Sequence, residues 1–575
     1  MNVLTKAQVL FHILRWRLTW NRRDTRQAYT VAGNPKFMGP RDAVKLIRDG
    51  DFVAVSGLGS TPRASIMYWA IQEMFKETGH PRDLSIMAIG GFGGRGKAPG
   101  TTEELGVEGL AARFIGGHLE TFKSFTKLAD SGKLEIQCLP QGTLAFLIDG
   151  QARGEDSFLT GTGVGTFMDP RVGRGTPMTP EKSEQWVKVE GDQLRYRIPK
   201  IDAAVFNVPA ADREGNLYVK NCAMFGETRE IALAARRNGG HVIANVGLVV
   251  DKGYSEIFLP AELVDAVVVW PGTEQVGSVP HRRYWPMFTL ESKTPLIEGV
   301  EGLRFANQVL GITPRRSAAD VVLARLAASI FAENLFKGAF VNVGIGLPEE
   351  MCRLLAYAGI VEQITLFTES GVVGGLPTPG VFFGTAISPR EIISSIEIFK
   401  RCYENLDATA LGVLQADSFG NVNVSKRGEG IRDYVGPGGF IDFTTAAKKI
   451  FFISSWMAHG RIEVAGDKLR VVKRGTPKFI KNVDEITFCG PEALKNGKQV
   501  FYITHVGVFR LTERGMELTR VMPGIDIQKD ILDFAPMHIV LPESGEVPVV
   551  DPHIVTGEGF KLELKGPGAG QQIKG

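Results

Sequence analysis

From about Pro40 the chain alternates short apolar runs with longer segments of helical period, and most of the runs end in glycine. DAVKLIRDG (42–50) predicts a helix closed by glycine, and DFVAVSGLGS (51–60) a buried strand running into a glycine turn. Pro62 suits the first position of the helix that follows. DLSIMAIG (83–90) and KLEIQCLPQG (133–142) predict further strands, as do AAVFNVP (203–209), HVIANVGLVV (241–250) and DAVVVW (265–270). Residues 168–198, rich in Pro, Arg and Gly, are an excursion leading into the hairpin-like VKVEGDQLRYRI. Strands that alternate with helices imply a mostly parallel sheet with crossover helices.

The pattern then restarts. GDFVAVSGLG (50–59) is echoed by GAFVNVGIG (338–346), and ADREGNLYV (211–219) by ADSFGNVNV (416–424), in the same order. The expected fold class is α/β, with two related open α/β domains fused in one chain. The expected boundaries are a basic aromatic extension at 1–38, a first domain at 39–295 and a linker at 296–319. A second domain at 320–545 and a Gly-rich, loosely held tail at 546–575 complete the chain. A length of 575 residues exceeds what one hydrophobic core serves.

Composition narrows the function classes. A net charge of +3 on this length provides no field suited to nucleic acid. The five cysteines are scattered without a CxxC pair, and the nine histidines show no HxH or HExxH spacing, so neither a disulfide framework nor a metal site is expected. No apolar run is long enough to span a bilayer. The stretch VLFHILRWRLTW (9–20) is apolar, basic and helical in period, with no acid before Asp24. It predicts a helix packed on the first domain; a transit peptide or an interfacial anchor is the alternative.

Candidate chemistry concentrates in ITLFTESGVVGGLPTPGVFFGTAI (364–387). A β-branched apolar run breaks at Thr368, and Glu369, the one ionisable group of the stretch, precedes a loop of five glycines and two prolines between Gly371 and Gly384. A carboxylate at the end of a buried strand is costly unless it has a partner or a task. There is no GxSxG elbow and no GxxxxGK[ST] loop. The single GxGxxG match, Gly91–Gly96, is weak because Pro99 and Gly100 interrupt the helix that a dinucleotide loop needs. An acid beside glycine turns that present backbone N–H groups fits either an acyl-transfer enzyme or a ligand-binding α/β protein.

TLFTESGVVGGLP resembles the glutamate loop of class I (family I) coenzyme A-transferases, with Glu369 in the position of the nucleophile. The similarity continues in CLPQGTLAFLIDG (138–150), FLTGTGVGTFMDP (158–170), IDAAVFNVPAADREGNLYVKNCA (201–223), VNVGIGLPEEM (341–351), ALGVLQADSFGNVNVSK (410–426) and YVGPGGFIDFTTAAKKIFF (434–452). The resemblance implies an active site between the two domains and ping-pong transfer of coenzyme A (CoA) through a glutamyl-CoA thioester. It implies no permanently bound cofactor, CoA being the carried group. Acyl-CoA and small carboxylic acids of the acetate, propionate or 3-oxoacid class would be the partners, with no nucleic acid and no clear membrane partner. A homo-oligomer, dimer or tetramer, is expected in the cytoplasm, or in the mitochondrial matrix if residues 1–36 are a transit segment.

By the same resemblance Gln141 supports an oxyanion, Asn342, Val343, Gly344, Ile345 and Gly346 form a coenzyme-binding turn, and Gly438 and Gly439 supply a backbone donor to the thioester oxygen. Lys426 and Arg427 read as a solvated basic pair, with CoA phosphates as the alternative partner. The loop reads Glu-Ser-Gly where mammalian-type 3-oxoacid enzymes carry Glu-Asn-Gly, which favours the acetate and propionate enzymes. An acyl-CoA hydrolase and a non-catalytic sensor of CoA esters or sugar phosphates are the competing functions.

Overall fold

The computed structural model describes residues 3–59, 62–272, 286–313 and 315–565. Ser60, at the end of the first expected strand, and residues 566–575 of the expected tail lie outside them.

Two sheets organise the chain. In the first, the order is Ala266–Val269, His241–Val250, Ala203–Asp212, Phe52–Val55, Leu84–Met87, Ala111–Gly116, Glu135–Cys138, all parallel, with the short strand Leu217–Tyr218 antiparallel beside Ala203–Asp212. Side chains alternate between two cores: Phe52 and Ala54 join one, Val53 and Val55 the other. A sheet buried on both faces explains why its strands read as unbroken apolar runs. The strand Ala111–Gly116 has no counterpart among the expected ones. Arg113, half-buried and paired with Glu135 at 2.8 Å, breaks its apolar run.

The second sheet has five parallel strands, Thr365–Phe367, Phe340–Val343, Ala408–Gly412, Lys449–Ile453 and Gln499–Ile503. Antiparallel strands extend both edges: Val372–Val373 and Glu391–Ile392 on one side, Gly507–Thr512 and Gly515–Val521 on the other.

The echoed segments occupy equivalent places. Phe52–Val55 and Phe340–Val343 each pair with the next long parallel strand on one side and with the strand that enters the Asp–Gly–Asn turn region on the other. The Phe52 N–H donates to Asp202 (2.8 Å) and the Phe340 N–H to Asp407 (3.0 Å), each aspartate standing just before that neighbouring strand. Asp212 accepts from the backbone of Gly215 and Asn216, and Asp417 from Phe419 and Asn421. The Asn216 and Asn421 amides close the two turns at 2.9 and 3.1 Å. The motif recurs because an aspartate that folds back on its own backbone fixes the turn.

Some local expectations change. The helix expected at 42–50 is the short Pro40–Val44. The segment expected as a linker carries the helix Leu296–Val309, which buries Val300, Leu303 and Ala306. The tail is seated as far as Lys565: Val550 hydrogen-bonds Val521, and Arg325 donates to the carbonyls of Ile554 and Val555, both at 2.8 Å. The N-terminal helix spans Val3–Thr19 and buries Trp16.

The halves meet along the helix Gln141–Arg153. Its first N–H groups are capped from the second half: Asp442 accepts from Gly142 (2.9 Å) and Thr143 (3.1 Å), partners 300 and 299 residues away in sequence. A Cβ on Gly142 would lie 2.7 Å from both Asp442 and the Phe399 ring. Glycine therefore allows the close approach. Nearby, a Cβ on Gly59 would overlap the Phe383 carbonyl, so the two glycine loops touch backbone to backbone.

Gly142 and Gly150 occupy the same helix, where Gly→Ala ordinarily stabilises by ~0.5–1 kcal/mol. Gly142→Ala should instead destabilise by ~1–3 kcal/mol through overpacking at the interface. Gly150→Ala, whose Cβ would meet only the Glu155 side chain, at 3.2 and 3.5 Å, should be neutral or stabilising. Thermal midpoints of the two variants check this; equal effects would remove the special role of Gly142.

Candidate active site

Glu369 stands at the tip of a tight turn leaving the strand Thr365–Phe367. The Thr368 N–H donates to Val372 (2.9 Å) and the Gly371 N–H to Thr368 (3.0 Å). The hydroxyls of Thr368 and Ser370 both donate to the Gly384 carbonyl and are 2.8 Å from each other. The residues on either side of Glu369 are thus tied down, and the carboxylate is directed by a rigid turn. Ser370, the residue that departs from Glu-Asn-Gly, holds the far side of the loop.

Glu369 lines a small cleft of about 30 Å³. Asn342, Val343, Gly344 and Ile345 line the same cleft, with Thr368, Pro377, Thr378, Phe383 and Gly384. Asn342 is held by Thr409, whose hydroxyl donates to it at 3.2 Å, and the Gly344 N–H donates to Ala410 (2.8 Å). Ile345 is 46% exposed. Gly346 begins the helix Leu347–Tyr357 and is not in the cleft wall.

Gln141, Gly438 and Gly439 form a second group at the junction of the halves. The Gln141 N–H donates to Gly438 (2.9 Å), and the Gly438 N–H donates to Gly117 (2.7 Å). The Gln141 side chain is buried, and its carbonyl oxygen has no partner among the described residues. Leu58 connects the groups: a Cβ on Gly90 would meet both Leu58 and the Gln141 amide, and a Cβ on Gly384 of the cleft would also meet Leu58. Lys426 and Arg427 are held in ion pairs with Glu429 (3.2 Å) and Glu120 (2.8 Å).

Two acids were missed by sequence reasoning. Asp442 is fully buried, accepts from Gly142 and Thr143 and, at 3.3 Å, from the Tyr403 hydroxyl. Burial, and then the nearby Asp442 charge, push Glu369 up to about 7. Burial likewise pushes Asp442 up to about 7 in spite of its donors. Two carboxylates that feel each other in a dry site do not both ionise readily. Glu349, in the cleft wall, is pushed up to about 7 by burial, and one of its oxygens has no partner among the described residues. It follows Leu-Pro at the start of a helix, where an acid is unremarkable in sequence. Asp442 left no signal either, because its partner is on the other half of the chain.

A half-buried carboxylate of raised pKa, a glycine turn in the same cleft and a buried amide at the junction suit covalent acyl chemistry. The family profile described as Coenzyme A transferase matches residues 37–270. The chain is 34% identical over 510 residues to the caffeate CoA-transferase of Acetobacterium woodii, covering 87% of this chain and 93% of that one. It is 32% identical over 516 residues to the acetate CoA-transferase YdiF of Escherichia coli O157:H7, covering 88% and 92%. The structure of that E. coli acyl-CoA transferase in a thioester complex with CoA aligns with a TM-score of 0.77 at 28% identity, over 92% of this chain and 97% of that one. On its sequence and its two-sheet fold, the chain belongs to the coenzyme A-transferase family, in the form that fuses both halves into one polypeptide.

Proposed function

We propose that this chain moves CoA between a short-chain acyl-CoA and a free carboxylic acid, of the acetate, propionate or 3-oxoacid class, with Glu369 as the nucleophile. The observation that carries the assignment is the rigid turn that puts a half-buried, ionisable Glu369 in the same cleft as Asn342–Ile345. The Glu369 carboxylate attacks the thioester carbonyl, giving an acyl-glutamyl anhydride and CoA thiolate. The thiolate then attacks the glutamyl carbonyl, releases the first acid as its carboxylate and leaves a glutamyl-CoA thioester. An incoming carboxylate reverses both steps. The thioester's energy is retained throughout, so no nucleotide is consumed.

Gln141 takes the part of a donor to developing negative charge through its amide NH₂; the Gly438 N–H is taken by the Gly117 carbonyl, which leaves the Gly439 N–H for the part of backbone donor to the thioester oxygen. Gly344 in the cleft wall lets the backbone approach CoA closely, and Gly346, at φ 98°, allows the turn into the helix that follows. In this proposal the enzyme is cytoplasmic and homo-oligomeric, and CoA is a substrate, with no resident cofactor.

Replacing Glu369 separates nucleophile from base. Glu369→Asp retracts the carboxylate by ~1.5 Å, beyond the alignment that covalent attack tolerates. Transfer should fall strongly, while water admitted to the gap sustains slow acyl-CoA hydrolysis. Glu369→Ala should lose both, and CoA release measured with and without acceptor acid reads the difference. Transfer by the Ala protein at the wild-type rate would end the nucleophile assignment.

Gln141→Ala should lower kcat by ~10²–10³, the loss typical of one oxyanion donor, with little change in KM for the CoA ester. A raised KM at unchanged kcat would make Gln141 a binding residue instead.

The raised Glu369 pKa sets a pH dependence. Attack needs the carboxylate, so kcat/KM for acyl-CoA should fall as pH drops through about 7, well above the ordinary glutamate range. Asp442→Asn removes the like charge, lowers the Glu369 pKa and should move this acid limb to lower pH. A limb that stays in place in Asp442→Asn would uncouple the two acids.

A further inference from the structure

The N-terminal helix Val3–Thr19 lies outside the residues that match the family, 37–270, and it carries two apolar stripes. One is used by the fold. Trp16 is 4% exposed, Val9 and Ile13 pack on the main core, and the Lys6 ammonium lies 5.8 Å from the centre of the Phe305 ring on the helix Leu296–Val309.

The other stripe faces solvent. Leu4, Phe11, Leu14 and Leu18 are 69%, 61%, 59% and 69% exposed, flanked by Val3 and Leu10. Their spacings of seven, three and four residues put Leu4, Phe11, Leu14 and Leu18 on one line of the helix. A surface helix already seated by its first stripe has no structural use for a second.

Charge selects the occupant. Residues 3–23 hold Lys6, Arg15, Arg17, Arg22 and Arg23 and no acid. Arg23 is neutralised by Glu73 at 2.7 Å, whereas Lys6, Arg15, Arg17 and Arg22 are exposed. The Arg17 guanidinium stacks 5.0 and 4.6 Å from the rings of Trp16 and Trp20, at the margin of the seated stripe, and stays exposed to solvent. Pairing this helix with its own copy would bring like charges together with no compensating acid on either helix. An apolar stripe bordered only by cations is complementary to anionic lipid headgroups above acyl chains.

We propose that the outward face of the helix Val3–Thr19, through Leu4, Phe11, Leu14 and Leu18 with Arg15, Arg17 and Arg22, docks the enzyme on an anionic membrane surface. The helix lies in the plane of the interface, since its opposite face remains on the protein. The catalytic cleft belongs to other segments, so binding is independent of turnover.

The test is co-sedimentation of the full chain with vesicles of phosphatidylcholine alone or mixed with phosphatidylglycerol, with size measured in solution by light scattering. The wild type should bind the mixed vesicles in a salt-sensitive way and leave the neutral ones unbound. Phe11→Ser/Leu14→Ser should weaken binding by ~10-fold or more, with acyl transfer in solution unchanged. Arg15→Gln/Arg17→Gln/Arg22→Gln, which leaves the apolar stripe intact, should lose the preference for anionic lipid. Absence of vesicle binding by the wild type, or undiminished binding by both variants, would overturn the proposal. So would a smaller particle for Phe11→Ser/Leu14→Ser with no lipid binding in the wild type, because the stripe would then be covered by a second copy.

Discussion

The Asp442 carboxylate is the point on which the site depends. It leaves the second half of the chain, enters the first and accepts the leading N–H groups of the helix Gln141–Arg153. Those groups lack partners within their own helix, and a negative charge placed there is stabilised by up to ~2 kcal/mol. The same charge adds to the burial that raises the Glu369 pKa. A single buried acid thereby fastens the halves, seats the helix that begins with Gln141 and acts on Glu369. The close approach requires Gly142, since any side chain there would displace the carboxylate.

Around that contact the two halves repeat one plan. Asp202 and Asp407 each take the first N–H of a central strand, and Asp212 and Asp417 each close a turn with an asparagine four residues on. Equivalent scaffolds have been put to different uses. The turn after Phe340–Val343 lines the cleft, whereas the turn after Phe52–Val55 places Leu58 and Gly59 against the glutamate loop. The cleft wall comes from the second half, and the first half supports it from behind through Leu58 and Gly59.

Sequence conveyed what is local. The strands Phe52–Val55, Ala203–Asp212 and His241–Val250 were legible because both their faces are buried, and Glu369 stood out as the one charge in an apolar, glycine-rich stretch. What it concealed is non-local. The strand Ala111–Gly116 carries Arg113, whose cost is met by Glu135 on the next strand. The helix Leu296–Val309 looked like a linker because its apolar positions serve a face that other segments complete; Asn307 on it donates to the Pro379 carbonyl of the glutamate loop at 2.9 Å. Asp442 and Glu349 read as ordinary helix acids. Their importance comes from burial beside other acids, which no spacing along the chain encodes.

The central claim is that Glu369 becomes covalently joined to CoA. The most direct measurement is the intact mass of the protein after incubation with an acyl-CoA and no acceptor acid, followed by peptide mapping. The account predicts a CoA adduct confined to the peptide that contains Glu369, lost on addition of a carboxylic acid with formation of the new acyl-CoA. An unmodified protein that nevertheless transfers CoA, or an adduct on another residue, would contradict it.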